Sequence, residues 1–220
     1  MDRRIPCKPL CSLALAAAAV ILAGCATSGT AGKEPTPRDD WMEYRQIVVR
    51  AMDLMDTSQR ALDELSVQAN RDPRGAYQAF AKTVQRLEVD SIQVRARVQA
   101  MRARGDAYFE HWEEYLAGVN DEQVRQRAKE YRSELRQHFE QAQQAAKQVR
   151  EGFRPFLSDL QKLRAVLEAD PSLARIVAEQ SLILGAKDKG WQVQQGLARV
   201  LAEMNAMTAT LRPAGTAAKH

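Results

Sequence analysis

Cysteine is scarce in this chain: three residues in 220, at positions 7, 11 and 25. Three thiols cannot all pair with one another, which argues against a disulfide scaffold. Eight prolines and eleven glycines are few for this length, which argues against a turn-rich β-sandwich. Three histidines are thinly scattered, so His-based catalysis and metal binding start with few parts. Neither sign of charge dominates: 32 basic residues against 28 acidic ones leave a net of +4, too balanced to point to nucleic acid. What is present is 45% hydrophobic and 27% charged, the balance of a folded chain rather than a disordered one. The length allows one domain or two small ones.

A single long apolar run occurs, and it lies near the start. Met1–Pro9 carries Arg3, Arg4 and Lys8 against Asp2, and Leu10–Leu22 then reads LCSLALAAAAVIL without a charge. A basic stretch before 7–15 apolar residues has the form of a secretory signal. A membrane-spanning helix needs about 20 apolar residues, so the run is short for one. It ends Leu22-Ala23-Gly24-Cys25, which resembles the lipobox of bacterial lipoproteins. The resemblance implies cleavage before Cys25, diacylglycerol on its thiol and an acyl group on the new amino terminus. Ala26, where Asp would favour retention in the inner membrane, implies the periplasmic face of the outer membrane. A plain signal peptide or an uncleaved anchor, with Cys25 incidental, is the alternative. Each buried methylene of an acyl chain contributes about 0.8 kcal/mol, and a second chain makes anchoring stable. Removal of residues 1–24 would leave 196 residues, a charge of +2 and Cys25 alone of the three cysteines. With Cys25 acylated, no thiol would remain for a disulfide, a metal or catalysis.

Residues 25–38 read as the lipidated cysteine and a flexible tether, ATSGTAGKEPTPR after the cysteine, small, polar and Pro/Gly-bearing. Thirteen residues reach at most about 45 Å. Residues 39–212 hold only three prolines, at 73, 155 and 171, and their signal is helical periodicity. The first stripe steps by threes and fours from Trp41 through Tyr44, Val48, Ala51, Met55, Ser58, Leu62 and Leu65 to Ala69, a sustained heptad. Ile47, Leu54 and Ala61 widen it, so the helix needs more than one neighbour. Asp39 or Asp40 is the expected N-cap. The second stripe runs from Tyr77 through Leu87, Val94, Met101, Gly105 and Tyr108 to Val119, one helix of about 43 residues and roughly 65 Å. Gly105 is expected to cost about 1 kcal/mol and to mark a bend.

Asn120 to Gln123 resembles a capping box with Asn120 at the cap. The third stripe runs from Val124 to Leu167, with a stutter at Tyr131–Leu135–Phe139. Pro155 sits inside it and predicts a kink, because proline removes one hydrogen bond and crowds the carbonyl of Glu151. Asp170-Pro171 is expected to cap and open a fourth helix. Within that helix residues 181–190 are the weakest stretch, read as a break or loop. Residues 213–220 are a small-residue tail, expected to be disordered. Short connections make neighbours antiparallel, so the expected fold is all-α: an elongated antiparallel three- to four-helix bundle with coiled-coil-like heptads.

Catalytic and metal-binding constellations are missing. The residues three before His111, His138 and His220 are Tyr108, Leu135 and Ala217, so the Glu-x-x-His pattern of di-iron bundles fails. Gly185 to Gly190 has phosphate-loop spacing, but Trp191-Gln192 follow where Lys and Ser or Thr are required. No serine lies in G-x-S-x-G or S-x-x-K. No cofactor and no metal are therefore expected. Arg95, Arg97, Arg102 and Arg104 flank the second stripe, and Arg125, Arg127 and Arg132 the third. They read first as interhelical ion pairs and snorkelling stems, and second as a surface for an acidic partner. Tyr108, Phe109 and Trp112 read first as an aromatic plug at one end of the core, and second as a candidate binding hot spot, since Trp and Tyr are enriched in such spots.

The run Phe109-Glu-His-Trp112-Glu-Glu-Tyr-Leu116, the helical stretch before Pro155 and the signal with its lipobox resemble a family of bacterial lipoproteins of unknown function. The resemblance implies long antiparallel helices and membrane anchoring, and it carries no catalytic residues. The expected role is a non-catalytic scaffold or adaptor, bound to the membrane by its lipid and to an envelope protein by its helices, with no nucleic acid. An amphiphile carrier with a cavity lined by Trp112, Phe153 and Phe156 is the alternative, and a hydrolase ranks last.

Overall fold

A computed structural model describes residues 37–211. The expected signal peptide, Cys25 with most of its tether, and the tail 213–220 lie outside the described residues. Those residues belong to one compact unit and form five helices with no strand among them: α1 Pro37–Gln68, α2 Pro73–Ala117, α3 Glu122–Ala169, α4 Leu173–Ala178 and α5 Gln180–Thr210. Four are long; α4 is a six-residue piece just before α5.

Cross-helix polar pairs fix the register. Arg104 of α2 reaches Asp40 and Glu43 of α1 at 3.1 and 3.4 Å. Arg45 of α1 donates to Asn205 of α5 at 2.8 Å, and Gln59 donates to the Lys187 carbonyl at 2.8 Å. His138 of α3 meets Glu203 of α5 at 2.7 Å, while Lys189 reaches back to Asp159. Arg164 of α3 pairs with Glu88 of α2 at 2.9 Å. Between α1 and α5, and between α3 and α5, position rises on one helix as it falls on the other, and short connections turn α2 back on α1 and α3 back on α2, so the long helices alternate up and down. α1 lies against α2 and α5, and α3 against α2 and α5. The fold is the expected antiparallel bundle, with four long helices.

The stripes explain the packing. Eight of the nine first-stripe positions in α1 are buried, Ala51 being half-buried. Leu135, Leu163, Leu167, Ile183 and Met204 are fully enclosed, and each such side chain contributes about 1.5–3 kcal/mol. The far end of α2 departs from the expected stripe: Tyr115 is exposed, and Phe109 and Leu116 turn inward instead.

The helix ends correct several expectations. α1 already starts at Pro37. Asp39 and Asp40 therefore lie in its first turn, where negative charge suits the helix dipole, rather than at the cap. Asp72 caps α2 by accepting from the Gly75 N–H at 2.9 Å, with Pro73 in the first turn. Asp121, not Asn120, caps α3, accepting from Gln123 and Val124. Asp170 ends α3 and its side chain accepts from the Ser172 N–H, so Ser172 caps α4 and Pro171 stays outside the helix. α3 runs on through Pro155 without interruption.

Residues 181–190, open in sequence between helix and loop, are helical throughout; the interruption is the single residue Glu179. Of the two glycines there, Gly190 is a packing position, while Gly185 sits in open space. A Cβ on Gly190 would sit 2.5 Å from Gln59 Nε2 and 2.9 Å from the Phe156 ring. On Gly196 it would meet Val149 at 2.7 Å. Gly105 likewise marks no end of α2: a Cβ there would lie 2.3 Å from the Phe139 ring, so the ring rests on bare backbone.

Candidate functional site

Three surfaces compete for function, and the first is aromatic. Tyr108, Phe109 and Trp112 come together as the sequence suggests, but facing inward. Trp41 meets Tyr108 edge-on at 6.3 Å and Phe139 at 5.3 Å. Tyr108 meets Phe109 and Trp112, each at 5.3 Å, and Trp112 meets Tyr131 at 5.6 Å. Edge-to-face pairs of this kind add about 0.5–1.5 kcal/mol each beyond burial. Phe109 is only 4% exposed, while Tyr108 and Trp112 are half-buried. Burial pushes the Tyr108 hydroxyl up to about 12, with Tyr131 adding to it. The indole N–H groups of Trp41 and Trp112 are buried without an acceptor among the described residues.

This cluster sits at the root of a two-helix extension. Arg104 marks where α1 begins against α2, and Thr210 reaches Glu134 where α5 ends against α3. The last turns of α2 and the first turns of α3 run beyond both, braced by Arg132, which binds Glu113 and the Phe109 carbonyl.

Trp112, Phe153 and Phe156 are not brought together. Trp112 packs on Tyr131, whereas Phe153 lies 22 residues farther along α3, about 33 Å at 1.5 Å per residue. Phe156 is fully buried beside Phe153 and Gly190. One small cavity cannot be lined by all three.

The second surface was not foreseen. Val177, Leu184 and Trp191 are 62%, 54% and 57% exposed and spaced by sevens along α4 and α5. Ser181, Gly185 and Asp188 lie between them, and nothing lies within 4 Å of where a Gly185 Cβ would be. Heptad spacing on an outer face is the available signal, but it falls in the stretch read as a break.

The third surface is charged. Of the flanking arginines, Arg102 pairs with Asp106, Arg104 with Asp40 and Glu43, Arg125 with Glu122 and Arg132 with Glu113. Arg95, Arg97 and Arg127 make no ion pair with the described residues. No three His, Cys, Asp or Glu side chains among the described residues converge to hold a metal ion. His111 bonds its own helix at the Ala107 carbonyl, 2.7 Å away. No described helix is long and apolar enough to cross a membrane.

No match to the chain is found among curated proteins or among solved structures. One family model does match, over residues 50–206, from the α1 midpoint to the last turns of α5. The chain belongs to that family, described as proteins of unknown function (DUF2959).

Proposed function

We propose that this protein is a lipid-anchored scaffold of the cell envelope, held by Cys25 on the periplasmic face of the outer membrane, which docks an amphipathic helix of an envelope protein. The observation that carries docking is the exposed Val177–Leu184–Trp191 face. Its seven-residue spacing is the spacing at which a partner helix places its own apolar positions. Ser181 and Gly185 beside it leave room for close backbone approach, and Trp191 supplies the kind of anchor that dominates interfaces. The flanking Gln192 and Gln195 are neutral and Gln192 donates to Asp188, so the partner is recognised mainly by shape and apolar contact. The anchoring half of the reading rests on the Leu22-Ala23-Gly24-Cys25 motif behind its basic and apolar segments. Binding is favoured over catalysis because the sequence carries no nucleophile–base or metal-ligand constellation.

Photo-crosslinkers placed at Leu184 and Trp191 in cells test the docking face. Both positions are expected to capture the same envelope protein, and Leu184→Lys with Trp191→Lys to abolish capture. Crosslinks only to a second copy of this chain, or equal capture from Val67, exposed on α1, would overturn it. For the anchor, Cys25→Ser is expected to release the protein from the membrane fraction or to block its processing. Unchanged fractionation and unchanged mobility would refute the lipidation.

A further inference from the structure

Between α1 and α2 runs a groove of about 240 Å³. Its floor is apolar, formed by the buried Ile47 and the half-buried Val94. Its rims carry Arg50 from α1 and Arg86 and Arg97 from α2, with Asp90 and Gln93 completing the lining. Arg86 and Asp90 pair at 3.3 Å along their own helix and cancel each other's charge. Arg50 and Arg97 make no hydrogen bond or ion pair with the described residues, unlike Arg102 and Arg104 a turn or two along α2. The groove is thus lined by two arginines, one from each helix, that pair with no described carboxylate, above an apolar floor. A third is available, because the Arg86 side chain is 74% exposed and an exposed pair of this kind is weak.

We propose that this groove binds a phosphate-bearing anion. Guanidinium presents paired N–H donors in a planar fork that matches phosphate oxygens bidentately. Two free forks on opposite rims suit a dianion or a bridging phosphodiester better than a single carboxylate. The volume is below the roughly 300–1,000 Å³ of sites for larger ligands, so it admits one headgroup and not acyl chains. Gln93 is placed to hydrogen-bond a hydroxyl next to the phosphate, and the Ile47–Val94 floor to carry a short carbon backbone. A lipid headgroup and a soluble phosphate ester share this chemistry. The inference stands apart from the α4–α5 docking face and from the anchor.

The test is calorimetric titration of the full-length protein in neutral detergent at low salt. Glycerol 3-phosphate is the probe in one arm, and mixed micelles of rising phosphatidylglycerol content in the other. Saturable one-to-one binding is expected in at least one arm, weakened about tenfold or more by Arg50→Gln with Arg97→Gln. Arg95→Gln, which removes an unpaired arginine outside the groove, is expected to leave binding unchanged. Binding in both arms assigns recognition to the phosphate ester itself, and binding in the micelle arm alone assigns it to a lipid headgroup. Absence of saturable binding in both arms, or equal loss from Arg95→Gln, would overturn the proposal. Both sets of side chains are exposed, and an unchanged helical circular dichroism spectrum confirms that the comparison is between folded proteins.

Discussion

The seam between α3 and α5 and the middle of α2 carry similar heptad patterns and have opposite fates. Along the seam, Leu160, Leu163 and Leu167 face Ile183, Ala186 and Val193, all buried, and Gly190 and Gly196 let the helices close on Phe156 and Val149. In α2 no residue from 88 to 100 is buried, although Leu87 before and Met101 after are. The stripe there is Ser91, Val94 and Val98, small side chains that stay half-buried, the two valines against the edge of the core. α2 is instead held to α3 by a polar clamp, in which Glu88 accepts from Gln161 at 2.7 Å and Arg164 at 2.9 Å. A heptad thus specifies which face turns inward, while side-chain volume decides whether that face becomes core. Where volume is small the stripe stays half-exposed, and the arginine-rimmed groove between α1 and α2 lies along the same stretch of α2.

Truncation exposes the contrast most strongly. Leu163→Ala removes a fully buried side chain from the seam and is expected to cost about 2–5 kcal/mol in denaturant unfolding. Val94→Ala removes a half-buried one from the slack stretch and is expected to cost under about 1 kcal/mol. Equal costs would break the comparison.

Alkali gives the next largest effect. Tyr44 is buried in the core, and burial raises its hydroxyl from 10.0 to about 12. A phenol raised in the folded state favours its neutral form there. Its contribution is complete below pH 10 and is lost as pH climbs through about 12. The difference corresponds to roughly 2–3 kcal/mol across that window. Tyr44→Phe is expected to flatten the alkaline fall in stability between those limits, read by unfolding at fixed pH.

The acid side probes the clamp. Burial alone would raise the Glu88 carboxyl, but hydrogen bonds from Gln161 and Arg164 and the Arg164 charge together hold it below its ordinary 4.5. A depressed carboxyl stabilises the fold above its unfolded value and loses that contribution as pH falls through the folded value. Glu88→Gln is therefore expected to cost about 1 kcal/mol near neutrality, with the gap to wild type closing below pH 4.5. A gap that persists in acid would mean that the clamp does not act through charge.

Much of this was legible in the chain itself. Steps of three and four located the α1 core almost residue for residue, because a helix with neighbours on two sides must bury that stripe. The length of α2 followed for the same reason. The slack in α2 was hidden because Ser91, Val94 and Val98 keep the heptad phase that Leu and Phe keep elsewhere. The split among arginines was hidden too. Arg97 and Arg104 look alike in sequence, and only the register of α1 gives Arg104 two carboxylates and Arg97 none. The aromatic trio allowed both a core plug and a hot spot, because Trp and Tyr mark both cores and interfaces, and composition does not say which side a ring turns to.

The two glycines of the weakest helical stretch supply the smallest and sharpest contrast. Both lie inside α5, five residues apart, and periodicity treats them alike. Gly185 has open space where a Cβ would go, so Gly185→Ala should stabilise by about 0.5–1 kcal/mol through helix propensity alone. Gly190 has Gln59 Nε2 at 2.5 Å and the Phe156 ring at 2.9 Å from that position. The Gln59 amide cannot swing away freely, because it donates to the Lys187 carbonyl, and the ring is rigid and enclosed. Gly190→Ala should therefore lose stability despite the same gain in propensity. Opposite signs in thermal unfolding would show that a glycine in a heptad is decoded by the distance to the neighbouring helix, whereas a gain at both sites would mean that α3 and α5 can move apart at no cost and that the seam is no tighter than the slack half of α2.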